Sequence, residues 1–325
     1  MGWKKINFEK YASEVKQNLK ISISDEIIKK DLILTFILAE FEKLGIGKEL
    51  IFKGGTLLSR NYLKYHRFSE DLDFVHKNSN YLRELSRNKR ERKIKEFIDY
   101  FTPKLKEVTD TLNLEFSTDR SNTKFCTILH GRTVYIFRIY YSKNQYIKVE
   151  INFIEKIIDA LQEVSIKSIT DFFDSKKLMF NLNISYENFK ILSYSLKEIT
   201  LEKYRAILTR KNFQERDLFD LFLIKNSLKA NVKEVVEKIK NSSLIKKGLE
   251  SLIKEKLKLL EEGIFFKSNE KIEEFAILEY DKNKFEEFKQ SVEPILINIC
   301  RRFLLWGIIL SIFKQLTSKQ KLTTL

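Results

Sequence analysis

Residues 67–74, RFSEDLDF, carry the pattern from which the fold is predicted. In an extended strand, side chains two residues apart lie on the same face of the sheet. Asp71 and Asp73 are therefore expected to project together, while Leu72 and Phe74 pack into the core. Two converging carboxylates repel each other, and a cation between them removes that repulsion. The stretch predicts a metal-binding strand, and a solvent-facing acidic pair is the alternative interpretation.

A glycine-rich motif precedes this strand, at residues 52–57, FKGGTL. Gly54 and Gly55 let backbone amides approach an anion without obstruction by side chains. A helix that begins at such a turn adds free N–H groups and the positive end of its dipole. The motif predicts a triphosphate-binding turn with the Thr56 hydroxyl at the same terminus. A purely structural turn is the alternative.

A third acidic position lies in residues 146–154, which alternate between polar and apolar and are predicted to form a strand. The alternation places Glu150 and Asn152 on one face. A third carboxylate on a neighbouring strand would complete a site for Mg²⁺, which prefers oxygen ligands and also coordinates phosphates. Mn²⁺ is the alternative ion. Pairing of Glu150 with Lys148 on an exposed strand is the structural alternative.

The composition predicts a helix-rich protein with a polyanionic partner. The 325 residues carry a net charge of +15, which favours nucleic acid, nucleotides or an acidic protein as partners, although a lysine-rich proteome gives the same surplus. The basic segment 83–95 would suit an RNA acceptor. The longest apolar stretch, residues 303–313, is too short to span a bilayer. No signal-like segment is evident at the N-terminus, so a cytoplasmic protein without a membrane association is expected.

Cysteine and histidine positions give no further site. Cys126 and Cys300 lack the spacing of a zinc site or a disulfide framework. His66, His76 and His130 do not share a metal-like spacing and are expected in turns or at the surface.

The distribution of patterns along the chain predicts an α+β fold in two parts. Residues 1–180 mix strands and helices, whereas residues 181–325 are mainly helical. Within the first part, residues 81–110 are expected to form a long basic helix that stops near Pro103, with a resumption of the helix after the proline as the alternative. A strand is predicted over residues 112–117 and a helix over residues 155–163.

The strings KGGTLL and RFSEDLDF together resemble the AbiEii-type nucleotidyltransferase toxins, which act in type IV toxin–antitoxin systems and belong to the polymerase-β-like nucleotidyltransferase superfamily. Two downstream strings, LEKYRAILTR and ERDLFDLFLI, resemble the lysine-containing helix and the Arg-Asp-x-x-Asp helix of that family. The resemblance implies a mixed sheet with flanking helices, followed by a helical C-terminal domain.

The resemblance also implies roles for individual residues. Lys203 and Asp217 match active-site positions, where Lys203 would stabilise transition-state charge and Asp217 would orient Lys203 or position the acceptor. Ser69 is placed near the nucleotide phosphates, with Arg67 as a secondary candidate. Arg210 lies seven residues after Lys203, so the two cations share a helix face that can grip phosphates.

The activity implied by the resemblance is transfer of a nucleoside monophosphate from NTP to an acceptor hydroxyl, with the 3′ end of tRNA as the expected acceptor. The expected biological role is growth inhibition or phage defence by abortive infection, with a cognate antitoxin protein as partner. Two alternatives stay open: transfer to a small molecule or protein, and a non-catalytic module that binds RNA or an antitoxin. The sequence does not select the NTP, the acceptor or the oligomeric state.

Overall fold

The computed structural model describes residues 6–185, 189–224, 231–242, 248–267, 272, 276–277 and 279–322, with side chains described as far as residue 306. The chain divides into two compact units. The first is Met1–Ile199 with Glu273–Glu279, and the second is Thr200–Ile272 with Tyr280–Leu325. This division falls after the last strand of the sheet, whereas a boundary at residue 180 would separate that strand from its neighbours.

The first unit is built on a mixed sheet of seven strands in the part of the chain that the structure describes. The strand order is β3-β4-β5-β2-β1-β7-β6. β2 is parallel to β5 and antiparallel to β1, and β1 is parallel to β7. The mixed sheet is the predicted one. The strands are β1 Leu50–Lys53, β2 Asp71–His76, β3 Cys126–Leu129, β4 Val134–Tyr140, β5 Tyr146–Asn152, β6 Gln162–Ser165 and β7 Lys190–Ser193.

Aromatic side chains fix two long helices against the central strands. Phe41 on one helix lies 5.9 Å from Phe74 on β2 and 6.1 Å from Phe101 on the other, measured between ring centroids. Phe52 on β1 lies 5.3 Å from Phe74, so β1 and β2 share this core. The helices of this unit are α1 Phe8–Leu19, α2 Asp25–Lys43, α3 Gly54–Leu57, α4 Ser79–Glu84, α5 Arg87–Thr111 and α6 Lys176–Asn181; a π-helical turn, Leu58–Tyr62, follows α3 directly.

The second unit is helical in its described residues, as the sequence predicts. Phe219, Phe222 and Phe285 form a ring cluster in its core. Among the described residues, no helix combines the length and the apolar character that crossing a bilayer requires. The helices are α7 Leu196–Thr209, which begins in the first unit, α8 Glu215–Ile224, α9 Val232–Lys240, α10 Leu249–Glu261 and α11 Lys282–Leu322.

α5 continues through Pro103, so the predicted stop at this residue is wrong, although the residues after it are helical as the alternative expects. A proline inside a helix costs about 3 kcal/mol. The buried face formed by Ile94, Ile98 and Phe101 outweighs that cost, since each of these side chains is at most 1% exposed. The Thr102 hydroxyl donates to the Ile98 carbonyl oxygen at 2.8 Å beside the proline.

Residues 155–163 do not form the predicted helix, because a side chain that is distant in sequence accepts hydrogen bonds from their backbone N–H groups. The Glu198 carboxylate accepts hydrogen bonds from the backbone N–H groups of Ile158 and Asp159, at 3.1 and 2.7 Å. The segment instead leads into β6. Its hydrogen bonds depend on a glutamate that lies about forty residues later in the chain, so local pattern could not indicate them.

The strand expected over residues 112–117 is also missing, because Glu115 makes only an isolated bridge to Tyr140.

The expectation that His76 lies in a turn or at the surface is wrong. His76 ends β2 and is 7% exposed, with its ring 4.8 Å from that of Phe97. His76 lies on the same face of β2 as Leu72 and Phe74, and this places its ring in the core.

Candidate active site

The register of β2 against β5 brings three acidic side chains together. Asp71 pairs with Lys148 and Asp73 pairs with Glu150, and the two strands are parallel. Residues side by side in a ladder project from the same face of the sheet, and so do residues two apart in one strand. Asp71, Asp73 and Glu150 therefore lie on one face, as the sequence predicts for the first two.

The ammonium of Lys148 lies among these three carboxylates. Its Nζ is 3.1 Å from an Asp71 oxygen, 3.6 Å from a Glu150 oxygen and 4.0 Å from an Asp73 oxygen. The sequence suggests Lys148 only as a partner of Glu150. The structure makes it the shared counter-ion of the whole cluster, because β5 places its side chain directly beside Asp71.

The charges of the cluster shift the pKa values of its members. Burial raises the pKa of the Asp71 carboxyl, Lys148 lowers it and the neighbouring Asp73 raises it. Burial also raises the pKa of Glu150, with Asp73 adding to that effect and Lys148 opposing it. Burial lowers the pKa of Lys148, but the three carboxylates more than compensate and raise it overall. The cluster favours a cation at its centre.

The donor chemistry of this cluster fits a divalent cation. Carboxylate oxygens are the ligands that Mg²⁺ prefers, and three of them already surround one positive charge. Among the residues that the structure describes, no group of three or more His, Cys, Asp or Glu side chains is arranged to hold a metal ion as it stands. Lys148 takes the central position instead, and its long flexible side chain would have to move for an ion to enter.

Gly54 adjoins Asp73 so closely that no other residue fits. Its backbone has a φ of +82°, and a Cβ placed on it would meet the Asp73 Oδ2 atom at 2.3 Å. The glycine predicted as a phosphate-binding residue thus also lets β1 turn against the acidic strand. Conformation and space both require glycine here.

The second glycine adjoins two of the predicted phosphate contacts. A Cβ on Gly55 would lie 2.7 Å from the Arg67 Nη2 atom and 2.9 Å from the Ser69 Oγ atom. Arg67 is buried, and its Nη1 donates to the Phe68 carbonyl oxygen at 2.8 Å. The structure therefore brings Gly55, Arg67 and Ser69 to one place.

The Thr56 hydroxyl points into the protein. It donates to the backbone carbonyl of Asp71 at 2.5 Å, and Thr56 is 1% exposed. The Ser59 hydroxyl makes the equivalent bond to the Arg67 carbonyl. These two bonds attach the helical segment that follows β1 to both ends of the RFSED stretch, so they hold the acidic strand against the glycine turn.

The predicted residues of α7 and α8 form a separate ionic cluster within the second unit. The Lys203 Nζ atom lies 2.8 Å from an Asp217 oxygen and 2.5 Å from an Asp220 oxygen, and Arg210 contacts Asp217 at 2.6 Å. Burial opposes the charge on Asp217, but Lys203 and Arg210 outweigh it and hold its pKa well below the ordinary range.

Asp220 is the member of this cluster that was not singled out as a site residue. It is fully buried, and Asp217 is 2% exposed. Asp220 could have been predicted from its i, i+3 spacing from Asp217 on α8, because this spacing lets both carboxylates reach one ammonium. Lys203 is held between two carboxylates rather than one.

Four of the seven basic residues in segment 83–95 form ion pairs within α5, and Arg92 with Glu96 is one of these pairs. Arg87 pairs with Glu91, Lys93 with Glu96 and Lys95 with Asp99. The acids at 96 and 99 lie just beyond the segment, so its apparent excess of positive charge is partly neutralised. Exposed pairs of this kind are weak, so the side chains keep the freedom to exchange partners.

The chain matches the sequence model of a family described as "Nucleotidyl transferase AbiEii toxin, Type IV TA system" over residues 37–297. Solved structures that the comparison finds similar to this chain include JHP933 from Helicobacter pylori, with 14% identity and a TM-score of 0.41 over 90% of this chain and 100% of the other. They also include MenT4, the nucleotidyltransferase toxin Rv2826c from Mycobacterium tuberculosis H37Rv, with 14% identity and a TM-score of 0.39 over 90% and 98% of the two chains. No curated protein matches the sequence.

The family match covers most of the chain, including the glycine turn, the acidic strand, Glu150 and the cluster around Lys203. The protein is a nucleotidyltransferase. It belongs to the AbiEii family of nucleotidyltransferase toxins of type IV toxin–antitoxin systems. This membership confirms the resemblance found in the sequence and implies an NTP substrate and an antitoxin partner.

Proposed function

We propose that the protein transfers a nucleoside monophosphate from NTP to a hydroxyl of RNA, with the 3′ end of tRNA as the expected acceptor, in a Mg²⁺-dependent reaction. The observation that carries this proposal is the gathering of Asp71, Asp73 and Glu150 around one positive charge, beside a turn where only glycine fits. A cation between carboxylates and an adjoining phosphate site are the parts that nucleotidyl transfer needs.

Mg²⁺ would be held by Asp71 and Asp73 with Glu150 as the third carboxylate; when bound, it would supply charge neutralisation for the phosphates. Gly54, Gly55, Ser69 and Arg67 are proposed to contact the triphosphate. The buried hydroxyl of Thr56 supports a different role for this residue from the predicted phosphate contact, namely positioning Asp71.

The proposed step is a substitution at the α-phosphorus. The acceptor oxygen forms a bond to that phosphorus, and the bond from phosphorus to the oxygen that bridges to the β-phosphate breaks. Pyrophosphate leaves with the electron pair, and the acceptor hydroxyl gives its proton to water. Lys203 is proposed to stabilise charge in this step, and the family motif supports this proposal. The ion pairs of α7 and α8 support Asp217 as the residue that holds the Lys203 ammonium, with Arg210 assisting.

The test is transfer of label from each α-³²P NTP to total RNA with Mg²⁺, with Asp71→Ala and Asp73→Ala as inactive controls. Label in an RNA species that depends on both aspartates supports the proposal. Label in protein or in a small molecule would show that the acceptor is not RNA. If no label is transferred although the protein binds RNA or a partner protein, the RNA-directed transferase proposal is overturned.

A role in abortive infection belongs to the same proposal. Expression of the active chain is expected to arrest growth, and expression of Asp73→Ala is not. Co-expression of the product of a neighbouring gene should relieve the arrest if that gene encodes the antitoxin. Equal toxicity of wild type and Asp73→Ala would show that growth inhibition does not depend on nucleotidyl transfer.

A further inference from the structure

A cavity of about 470 Å³ opens beside Asp71, on the side of β2 that faces β5. Its volume lies in the range of pockets that bind small ligands, roughly 300–1,000 Å³. Among the residues that the structure describes, none of the proposed phosphate contacts lines it. Its walls come from the start of α2, from Glu70 and Asp71, and from the β4–β5 turn with Tyr141, Asn144, Gln145 and Tyr146.

The charges of the walls disfavour a triphosphate. Glu26, Glu70 and Asp71 line the cavity together with Lys30 and Lys148, so carboxylates outnumber ammonium groups. Lys30 is paired with Glu70 at 2.5 Å. A group with several negative charges would be repelled, whereas an uncharged nucleoside would not.

The β4–β5 turn supplies the chemistry that recognises a nucleobase. Tyr146 is 37% exposed, and its ring lies 5.3 Å from that of Tyr140, measured between ring centroids. The amide of Asn144 can donate and accept hydrogen bonds. The Gln145 Oε1 atom already accepts from the Ser142 hydroxyl at 2.8 Å, and its NH₂ group can donate to a base. Single-stranded RNA is typically recognised by stacking of an unpaired base on an aromatic ring and by hydrogen bonds to the edge of the base.

The β4–β5 turn leads directly into β5, which carries Lys148 and Glu150 of the acidic cluster. Tyr146 and Lys148 are two residues apart on β5, so they project from one face with a rise of about 7 Å between them. Lys148 in turn contacts Asp71. A base against Tyr146 would therefore have its ribose directed towards the acidic cluster.

The sheet order places this cavity opposite the glycine turn. β2 lies between β5 and β1, and the glycine turn follows β1. In phosphoryl transfer the attacking and leaving oxygens lie roughly in line on opposite sides of the phosphorus. If the pyrophosphate departs on the side of β1, the attacking hydroxyl has to approach from the side of β5.

We infer that this cavity binds the 3′-terminal nucleoside of the acceptor RNA and presents its hydroxyl to the α-phosphorus. This inference rests on the proposed function, since it names the group that occupies the acceptor side of the same site. Tyr146 stacks on the base, and Asn144 and Gln145 contact its edge.

The test compares Tyr146→Ala, Tyr146→Phe and the double variant Asn144→Ala/Gln145→Ala in transfer to single-stranded RNAs that differ only in the 3′-terminal nucleoside. Tyr146→Ala is expected to raise KM for RNA about tenfold to a hundredfold, because a stacked base is lost. KM for NTP stays unchanged. Tyr146→Phe keeps the stacking ring and stays close to wild type, and the double variant loses discrimination among the four ends. Tyr81→Ala, an exposed tyrosine on α4 outside the cavity, is the matched control.

A binding experiment covers the case in which the wild type transfers nothing to these RNAs. RNA with a 3′-terminal 4-thiouridine is crosslinked to the full chain, and a 4-thio-UTP analogue is crosslinked in parallel. A crosslink from the RNA terminus to Tyr141 or Tyr146 supports the inference even if the proposed transfer fails. The inference is overturned if the NTP analogue crosslinks there instead, if no RNA crosslink forms at either tyrosine, or if Tyr146→Ala raises KM for NTP and leaves KM for RNA unchanged.

Discussion

At the scale of single residues, Gly54 determines how closely β1 approaches the acidic strand. Its positive φ disfavours any residue with a Cβ, and the added atom would meet Asp73 at 2.3 Å. Gly131, in the β3–β4 turn, has a φ of +64° with nothing within 4 Å of the corresponding position. Substitutions at Gly54 and Gly131 therefore distinguish the effect of backbone strain, which both share, from a steric effect on the site, which only Gly54 has.

We expect Gly54→Ala to lose activity by about a hundredfold or more, because a shift of about 1 Å in Asp73 has effects of that size. Gly131→Ala should lose about 1–2 kcal/mol of stability from the same backbone strain and keep its activity. Transfer rates and urea unfolding measure the two effects. If both variants lose activity equally, the steric argument for Gly54 fails.

Lys148 compensates the charge of three carboxylates, and its removal should reveal the cation site. Lys148→Ala is expected to be less stable than wild type without divalent ions, by on the order of 1 kcal/mol because the cluster is partly exposed. Added Mg²⁺ should then raise its melting temperature more than that of the wild type, since bound ligand stabilises the folded state.

Lys143→Ala, at an exposed position in the β4–β5 turn, is the control for loss of one lysine charge. Its response to Mg²⁺ should equal that of the wild type. A Lys148→Ala variant that responds no more than Lys143→Ala would contradict the placement of the ion among these carboxylates.

His76 predicts a pH dependence of stability. Burial lowers its pKa from 6.5 to about 4 in the folded protein, while Glu49 raises it and Lys77 lowers it further. The unfolded chain therefore binds a proton first as the pH falls. The contribution of the neutral ring is complete above pH 6.5 and decreases as the pH falls towards 4, by at most about 3 kcal/mol.

His76→Phe keeps an aromatic ring beside Phe97 and has no proton to bind. It loses the hydrogen bond from the Asn78 N–H to His76 Nδ1, which is worth about 1 kcal/mol. Chemical unfolding between pH 7 and pH 4 should show a smaller loss of stability in this variant than in wild type. Parallel pH profiles for the two proteins would show that His76 is not responsible.

At the scale of elements, a buried ion pair joins α2 to the π-helical turn after α3. Arg60 donates to the Asp31 carboxylate at 2.7 Å, and both side chains are at most 2% exposed. Burial raises the pKa of Asp31, and Arg60 opposes that shift. The pair fixes the turn that carries Ser59, and Ser59 holds the backbone of Arg67.

Arg60→Met should destabilise the fold by about 3–5 kcal/mol, because it leaves a buried carboxylate without its counter-ion. The double variant Asp31→Leu/Arg60→Met should recover most of that loss. Lys106→Met breaks the exposed Lys106–Asp110 pair on α5 and should cost less than about 1 kcal/mol. Urea unfolding distinguishes these outcomes, and a double variant as unstable as Arg60→Met would contradict the assignment to charge burial.

At the scale of the whole molecule, the surplus charge of +15 predicts salt-dependent binding to RNA. Each phosphate neutralised on a single strand changes the logarithm of the affinity by about −0.7 per logarithmic unit of salt. We expect a clear decrease in RNA affinity between low and physiological salt, measured by fluorescence anisotropy. An affinity that does not change with salt would exclude a charge-driven contact.

Features that depend on local periodicity and on residue type could be predicted from the amino-acid sequence. The alternation of Asp71-Leu72-Asp73-Phe74 predicted a strand with both aspartates on one face, and the Gly-Gly pair predicted the turn before a helix. These patterns repeat within a few residues, so no knowledge of distant contacts was needed. Lys203 and Asp217 were predicted through the resemblance to the family's helix motifs, which periodicity alone does not provide.

Contacts between groups far apart in the chain could not be predicted, because they depend on how the strands and helices pair and pack. Lys148 faces Asp71 because β5 pairs with β2 across more than seventy residues of chain, and a shift of one residue in that pairing would turn it to the other face. The inward turn of Thr56, the sharing of Lys203 by Asp217 and Asp220, and the burial of His76 likewise depend on how elements pack. Register and packing are set by the whole core, and the short-range pattern of the chain does not contain them.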